Sequence, residues 1–451
     1  MNHKGKLKKG SWFFLVIFVI ALCLWGCGLQ KQEEGARTYY FYVKIINSEK
    51  QLCDRFYIAE ELETIRQMTV IKNVNGWVIP GVKDHEIEWN DHSLEYEVEK
   101  VTGVDDRPIR LSDTWDITEL EVHDAENLED VIELPNLEKL IVWGEQIENV
   151  ESIEKLTKLN QLTLRIKYND DLEFIGKMTA LKSLDIYNRS IRDFSFLGNL
   201  TNLKELTLEA EQLQDISWIE NLSRLRILSM PRNERLSDIT PLKSLTNLEK
   251  LDLPVCRISD ISPLSGLVNL RELELWNNRI KDITPLRGLK ELRTLSISMN
   301  QVEDISALED LTNLTDLNIS INHITNIDAL ADLINLQELH ADENKIRDIS
   351  ALEKLTQIQV LDMNRNNIRD IDVLINLTEL KELDLCMNRI RDISVLENLT
   401  GLKKLYLAEN EIADITPLQN LTKLEQLDVK WNLVTDYSCV EFVRELNQYL
   451  Q

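Results

Sequence analysis

The sequence predicts an α/β solenoid, a stack of short repeated units, over most of its 451 residues. The main support is an asparagine that recurs every 22 residues inside a constant frame of leucines and isoleucines. Within each unit leucines alternate with polar residues, as Leu273 and Leu275 do, which is the period of a strand buried on one face. Ser or Thr followed by Pro or Ala then favours a short helical turn with Ser or Thr as its N-cap.

The recurring asparagine is predicted to form a structural ladder along the array. Its side chain can satisfy backbone groups in the loop after each strand, and losing such a buried partner costs about 1–3 kcal/mol. Cysteine takes this position once. The predicted ladder consists of Asn233, Cys256, Asn278, Asn300, Asn322, Asn344, Asn366, Asn388, Asn410 and Asn432. In earlier repeats the frame persists, but Glu145, Lys167, Arg189 and Glu211 stand at this position.

The frame L-x-L-x-x-N-x-I-x-D-I-x-x-L resembles the short bacterial class of leucine-rich repeats found in the internalins. The resemblance runs from Trp115 to Trp431 and covers about 14–15 units of 22 residues. It implies a right-handed solenoid with a parallel sheet on its concave side and short 3₁₀ turns on its convex side. It also implies that the chain binds a protein partner.

The sequence outside the repeats divides into three segments. Residues 39–89 predict a small α+β module, with a strand in YYFYVKI and a helix in AEELETIRQM. Residues 90–114 resemble the short helix and edge strand that open internalin-like arrays, and residues 115–433 hold the repeats. Because a bare terminal repeat exposes its core, a solenoid needs closure at both ends. The amphipathic residues 434–451 are therefore predicted to form a C-terminal capping helix.

The N-terminus predicts export. Four lysines precede an unbroken apolar run from Trp12 to Trp25, which suits the core of a secretory signal and is short for a membrane span. The run ends in LWGC, which resembles the bacterial lipobox. Cys27 is accordingly the predicted lipidation site, after removal of a signal peptide at 1–26, and residues 27–38 form a tether. An uncleaved anchor is the alternative, and either places the chain on the extracytoplasmic face of the cell membrane.

Charge and motifs restrict the function. A formal charge of −26 argues against nucleic acid, because nothing would neutralise its phosphates. The predicted partner is a protein, and a basic surface on it would complement this chain. The sequence has no hydrolase, P-loop, zinc-protease or dinucleotide motif, so no enzymatic activity and no cofactor are expected. The chain is expected to be a monomer. The acids and histidines from Asp84 to His92 fit no standard metal spacing, so no metal site is predicted.

Two side chains of each strand are predicted to face the concave surface: the residue between the two leucines and the residue two positions before the ladder. Trp276 belongs to this set and has no role in the core. Exposed aromatic residues anchor protein interfaces because they bury a large area at low entropic cost. The predicted partner-binding residues are Trp143, Tyr187, Glu274, Trp276, His340, Asp342, Asp362, Asp384, Tyr406 and Trp431.

Several functions are open for this face. The favoured one is that of a non-catalytic, membrane-anchored lipoprotein that binds a protein. The alternatives are an envelope scaffold or sensor, and stacking of wall carbohydrate on Trp143, Tyr187 and Trp276. Single exposed aromatics also occur on surfaces that bind nothing.

A second charged stripe lies in the loops that follow the ladder. Its basic residues flank Asp282, Asp348, Asp370 and Asp392. They are Arg279, Lys281, Lys345, Arg347, Arg369, Arg389 and Arg391. One interpretation is solvated ion pairs between neighbouring turns. The other is a basic edge beside an acidic trough, which would orient a dipolar partner.

Overall fold

A computed structural model describes residues 39–46, 52–59, 71–73, 76–78 and 85–447. The chain divides into two compact units. One comprises residues up to Glu88 together with Asp106–Trp115, and the other comprises Trp89–Asp105 together with the chain from Asp116 onward. The signal peptide, Cys27 and the tether lie outside the described residues, so lipidation stays a prediction.

The first unit contains two antiparallel strand pairs. Strand β1 (Tyr39–Ile46) pairs with β2 (Leu52–Ala59), and β3 (Ile71–Asn73) pairs with β4 (Gly76–Val78). The strand predicted in YYFYVKI is therefore present. The helix predicted in AEELETIRQM lies outside the described residues, except for its first residue, which ends β2.

Helix α1 (His92–Thr102) opens the second unit, as predicted. The Asp91 side chain caps it by accepting a hydrogen bond from the Leu94 N–H at 2.8 Å, and Gly103 ends it in the left-handed conformation with φ 69°. The helix buries Leu94 and Val98. Asp91 also accepts the N–H groups of Glu126 and Asn127 at 2.6 and 2.8 Å. One carboxylate thus joins the cap to the first repeat.

Sixteen parallel strands in chain order form the single sheet of the array, which confirms the predicted solenoid. They are β5 (Glu119–Val122), β6 (Lys139–Gly144), β7 (Gln161–Ile166), β8 (Ser183–Asn188), β9 (Glu205–Ala210), β10 (Ile227–Ser229), β11 (Lys250–Asp252), β12 (Glu272–Glu274), β13 (Thr294–Ser296), β14 (Asp316–Asn318), β15 (Glu338–His340), β16 (Val360–Asp362), β17 (Glu382–Asp384), β18 (Lys404–Tyr406), β19 (Gln426–Asp428) and β20 (Glu445–Asn447). Strands β6–β9 have six residues each, whereas β10–β19 have three. In each repeat from β10 to β19, a residue of positive φ lies three positions after the end of the strand.

Short 3₁₀ turns alternate with these strands, as the resemblance implied. They span Leu111–Asp113, Glu129–Glu133, Val150–Lys155, Glu173–Lys177, Ser195–Asn199, Ser217–Asn221, Thr240–Ser244, Ser262–Gly266, Thr284–Gly288, Ser306–Leu308, Asp328–Leu330, Ser350–Leu352, Asp372–Asn376, Ser394–Asn398, Thr416–Asn420 and Ser438–Val440. The frame leucines, such as Leu273 and Leu275, are fully buried between strands and turns and form the core.

The asparagine ladder joins each repeat to the one before it. Asn278 donates to the Leu253 carbonyl at 2.9 Å and accepts the Ile258 N–H at 3.0 Å, and both partners belong to the preceding repeat. All predicted ladder residues are buried, and Asn300 to Asn432 repeat this pattern. The buried Cys256 thiol donates weakly to the Met230 carbonyl, with the sulfur 3.7 Å away.

Two buried asparagines of the earlier repeats were missed by the sequence analysis. Asn169 donates to the Ile147 carbonyl at 2.7 Å and accepts the Ile147 N–H at 2.9 Å, so it performs the ladder function two residues after Lys167. Asn188 donates to the carbonyls of Ile166 and Asn169. In this region of six-residue strands, the buried asparagine lies two residues after the predicted position in one repeat and one residue before it in the next.

The predicted N-caps of the 3₁₀ turns are wrong in detail. Thr284 is the first residue of its turn, and its N–H donates to Oδ1 of Asp282 at 2.8 Å. The aspartate, not Ser or Thr, therefore supplies the capping oxygen. Hydrogen bonds from the Thr284 side chain and from its backbone N–H hold the pKa of Asp282 below its usual range. The same lowering applies to Asp238, Asp260, Asp304, Asp348, Asp392, Asp414 and Asp436.

The C-terminal capping helix predicted over 434–451 is wrong for the residues that the structure describes. Ser438–Val440 is a 3₁₀ turn, and Glu445–Asn447 pairs in parallel with β19 as a further strand. Val440 and Val443 are buried at the spacing of three that the leucines of every repeat also follow. That spacing fits both an amphipathic helix and one more repeat, and stacking on the existing sheet decides the outcome.

No helix within the described ranges has the length and apolar character needed to cross a membrane.

Candidate binding surface

The concave sheet carries Trp276 outside the core. Leu273 and Leu275 on either side of Glu274 are fully buried, whereas Glu274 and Trp276 are half-buried on the opposite face. The sheet hydrogen bonds continue past the strand, because the Val255 N–H donates to the Trp276 carbonyl at 3.1 Å. The backbone on both sides therefore holds the indole in place.

Two exposed apolar side chains, Met299 and Ile321, occupy the loop position that borders the strand face in the next two repeats. Together with Trp276 on the face, they form what we call the central patch. The Met299 and Ile321 side chains are 42% and 39% exposed, although both are large and apolar. Each occupies the left-handed position after its strand, with φ 55° and 54°. Such backbone is costly for a β-branched residue like Ile321. The sequence analysis missed both residues, and their signal was an apolar residue immediately before the ladder asparagine.

Small side chains form the sheet surface beside the central patch. Ser296, Ser298 and Ser320 are buried there, and the hydroxyls of Ser296 and Ser298 lie 3.4 Å apart. Their small size leaves room above the sheet between Trp276 and the next large side chains. A partner side chain that entered this space would contact the indole directly.

An acidic trough follows on the C-terminal side. It is formed by Asp342, two residues after β15, and by Asp362 and Asp384 at the ends of β16 and β17. Burial raises the pKa of Asp342 and of Asp384, and the charge of Asp362 raises both further. His340 is half-buried among them. Burial, followed by the charge of Asp252, likewise raises the pKa of Glu274. A cationic group would relieve this unfavourable charge.

The aromatic residues predicted at the N-terminal end form a separate site. Trp143 stacks on His123 with ring centroids 6.0 Å apart, and its Nε1 donates to Glu121 at 3.1 Å. Trp143 and Tyr187 line a shallow groove of about 890 Å³. Trp143 on β6 and Trp276 after β12 are six strand spacings apart, which corresponds to roughly 29 Å. The two tryptophans therefore belong to different contact regions.

Charged side chains fill much of that groove. Arg165 lies 2.7 Å from Asp185 and 3.5 Å from Glu209, and the Arg189 guanidinium lies 5.7 Å from the Tyr187 ring centroid. Burial raises the pKa of Asp185 in spite of the arginine beside it. These contacts hold the groove residues together.

The two C-terminal aromatics differ in position. Tyr406 lies on β18 as predicted, half-buried, and its hydroxyl donates to Gln426 at 2.6 Å. The placement of Trp431 on the strand face is wrong. It occupies the left-handed loop position with φ 51°, equivalent to Met299, and is 57% exposed. The reason is register, because Trp431 directly precedes the ladder asparagine.

The basic residues beside the ladder do not form the ion pairs that one interpretation required. The carboxylates of Asp282, Asp348, Asp370 and Asp392 instead accept N–H groups of the following turns at 2.8–3.0 Å. Of the seven cations, only Arg391 lies within 4.0 Å of a carboxylate in the described structure, that of Glu411. We call these seven residues, from Arg279 to Arg391, the basic edge.

The acidic and histidine-containing segment near the N-terminal cap has structural contacts. Asp91 caps α1, and the Asn90 side chain donates to Asp130 at 3.1 Å. Throughout the residues that the structure describes, no three His, Cys, Asp or Glu side chains converge as metal ligands would.

Comparison with known proteins identifies the same architecture. A family model of leucine-rich repeats (two copies) matches residues 246–288, 290–332, 334–376, 356–398 and 378–420. An internalin (inlF) from Listeria monocytogenes shares 31% identity and a TM-score of 0.59, over 79% of this chain and 94% of that one. No curated protein matches the chain in sequence.

Two further solved structures share the fold. A leucine-rich repeat protein of Leptospira interrogans is 23% identical over 75% of this chain and 97% of that one, with a TM-score of 0.67. The plant peptide hormone receptor RGFR1, solved in complex with RGF2, is 22% identical over 69% of this chain and 57% of that one, with a TM-score of 0.56.

Proposed function

We propose that this chain, which belongs to the internalin-like leucine-rich repeat proteins, binds a protein partner on the concave face of its solenoid. The observation that carries the proposal is the central patch, which combines a half-buried indole on the strand face with two exposed apolar side chains at the bordering loop position of the next two repeats. Large apolar side chains held on a rigid sheet are typical anchors of protein interfaces. Leucine-rich repeat proteins are in general interaction scaffolds without catalytic activity, and we assign this chain no enzymatic function and no cofactor.

The acidic trough extends the proposed contact region beyond the central patch. Its carboxylates are half-buried and repel one another, so their ionised forms are less stable than in water. A partner with cationic side chains would regain that free energy on binding. The formal charge of −26 favours the approach of such a partner over long distances.

We also propose that the chain is exported and held at the extracytoplasmic face of the membrane by lipid on Cys27. The support is the sequence alone: a basic start, an apolar run and LWGC. Expression in bacteria with a clickable palmitate analogue tests this. Cys27→Ser should lose the label, whereas Cys23→Ser, altered within the same signal, should keep it. Label retained by Cys27→Ser would refute the lipid anchor.

Capture from envelope extracts tests the concave site. The immobilised chain should retain a protein that Trp276→Ala no longer retains, because truncating an interface anchor costs about 2 kcal/mol or more. Tyr96→Ala is the matched control, since it removes an exposed aromatic from α1 outside the sheet. Binding to purified wall polysaccharide is measured in parallel. If Trp276→Ala reduces polysaccharide binding alone, the face binds carbohydrate, and if it reduces neither, the proposed site is wrong.

A further inference from the structure

Most repeats with an acidic residue on the concave face also carry a basic residue at the edge. Of the nine repeats with strands β11 to β19, six carry an acidic residue on the face. Four of the six carry basic-edge residues, a fifth carries Arg257 at the equivalent position, and the sixth, with Asp428, carries none. The other three, which hold Ser298, Ser320 and Tyr406, carry neither. The longest such run covers three consecutive repeats, residues 338–391. It contains the whole acidic trough and five of the seven basic-edge residues.

The two surfaces have a fixed register. The Lys345 N–H donates to the Ile324 carbonyl at 2.9 Å, and the Arg389 N–H donates to the Ile368 carbonyl at 2.9 Å. These bonds stack the edge residues of successive repeats at about the 4.8 Å spacing of the sheet. In each repeat only the left-handed residue and the buried ladder asparagine separate the last face position from the edge. Each edge position therefore follows the last face position of its repeat by a constant offset.

The charges of the two surfaces do not neutralise each other. No trough carboxylate lies within 4.0 Å of a basic-edge cation in the described residues. Burial and neighbouring acidic residues raise the pKa of Asp342 and of Asp384. No basic-edge cation is among the causes of either shift. The edge cations themselves are exposed. The trough carboxylates and the basic-edge cations other than Arg391, which pairs with Glu411, thus remain available to a bound molecule.

Acidic and basic residues could occur in the same repeat because they neutralise each other. That explanation requires the opposite charges to be in contact. They do not meet, because the ladder asparagine separates them and the turn N–H groups occupy the nearby aspartates, such as Asp348. A partner that contacts both surfaces in the same repeats would account for the shared occurrence.

We propose that residues 338–391 form a dipolar recognition surface. It binds a protein segment in which basic and acidic side chains lie side by side. The basic groups of that segment lie over Asp342, Asp362 and Asp384, and its acidic groups lie along the edge from Lys345 to Arg391. This inference rests on the proposed function and adds the charge pattern of the partner.

Fluorescent peptides and the full chain test this by anisotropy titration. The probes are oligoglutamate, oligolysine and a block peptide that joins both. Oligoglutamate is the decisive probe, because a chain of net charge −26 repels it everywhere except at a local basic site. Arg347→Gln/Arg369→Gln/Arg389→Gln should weaken its binding about tenfold, as three exposed charge contacts contribute in combination. The block peptide should bind the wild-type chain about tenfold more tightly than either homopeptide, because its second contact is intramolecular.

The matched control is Lys243→Gln/Arg287→Gln/Lys423→Gln, which removes three exposed cations, two within 3₁₀ turns and one three residues after such a turn. It should leave oligoglutamate binding unchanged. The inference is overturned if the edge and control variants bind oligoglutamate equally, or if the block peptide binds no better than the homopeptides. Capture from envelope extracts separates the two proposals. A protein released by Trp276→Ala but retained by the edge variant would sustain the proposed function and contradict the dipolar surface.

Discussion

Replacing Asn322 with alanine should destabilise the array by an amount that the ladder geometry sets. The Asn322 amide donates to the Ile297 carbonyl at 3.0 Å and accepts the Val302 N–H at 2.9 Å, and the side chain is buried. Alanine leaves both groups of the preceding repeat buried without a partner. At about 1–3 kcal/mol for each, the expected loss is roughly 2–6 kcal/mol in the free energy of unfolding.

Asn313→Ala is the matched control in the same repeat. Its side chain makes one hydrogen bond, to the Lys290 carbonyl at 2.8 Å, in an exposed position. The loss should therefore stay below about 1 kcal/mol. Urea unfolding measures both variants, and hydrogen exchange at the Val302 amide reports the local effect, since repeats can open separately. Equal destabilisation by the two variants, or an unchanged Val302 exchange rate, would refute the ladder argument.

Three further predictions concern titratable groups. Asp384→Asn should stabilise the chain at pH 7: its pKa is raised by burial, so ionisation costs stability as pH rises through the folded value. The gain should vanish in urea unfolding below the ordinary value of 3.8, where the aspartate is protonated in both states. Asp282→Ala should show the opposite sign, a loss at pH 7 that fades as pH falls below 3.8 and through its lowered folded pKa. Burial raises the pKa of Cys256 to about 12. Its alkylation at pH 8 should therefore be about a thousandfold slower in the native chain than in urea, and equal rates would contradict a structural thiol.

Local pattern was sufficient for the array because each leucine contacts the same position of the next repeat. The alternation around Leu273 placed Trp276 outside the core correctly, and the asparagine spacing identified the ladder. The pattern was insufficient where two structures share one periodicity. Apolar residues at intervals of three, such as Val440 and Val443, satisfy a helix or another repeat, and contact with β19 selects the repeat.

The candidate site was less predictable, because it depends on contacts between repeats. The sequence placed Glu274 and Asp342 on the concave face, but it did not reveal the burial that raises their pKa values. The sequence analysis missed Met299 and Ile321 because no glycine marks the left-handed backbone position in these repeats. The sequence also could not predict whether the edge cations form ion pairs with the nearby aspartates. The Asp348 carboxylate accepts a backbone N–H of the following turn, and a backbone donor has no signature in the sequence.

Site-specific photocrosslinking tests the binding face most directly. A photoreactive amino acid replaces Met299 in the central patch or, for comparison, Glu309, an exposed residue next to the 3₁₀ turn of the same repeat. On intact cells, position 299 should form a defined protein adduct that disappears when Trp276→Ala is added, and position 309 should form none. Equal adducts at both positions, or an adduct at 299 that survives Trp276→Ala, would contradict recognition through the concave face.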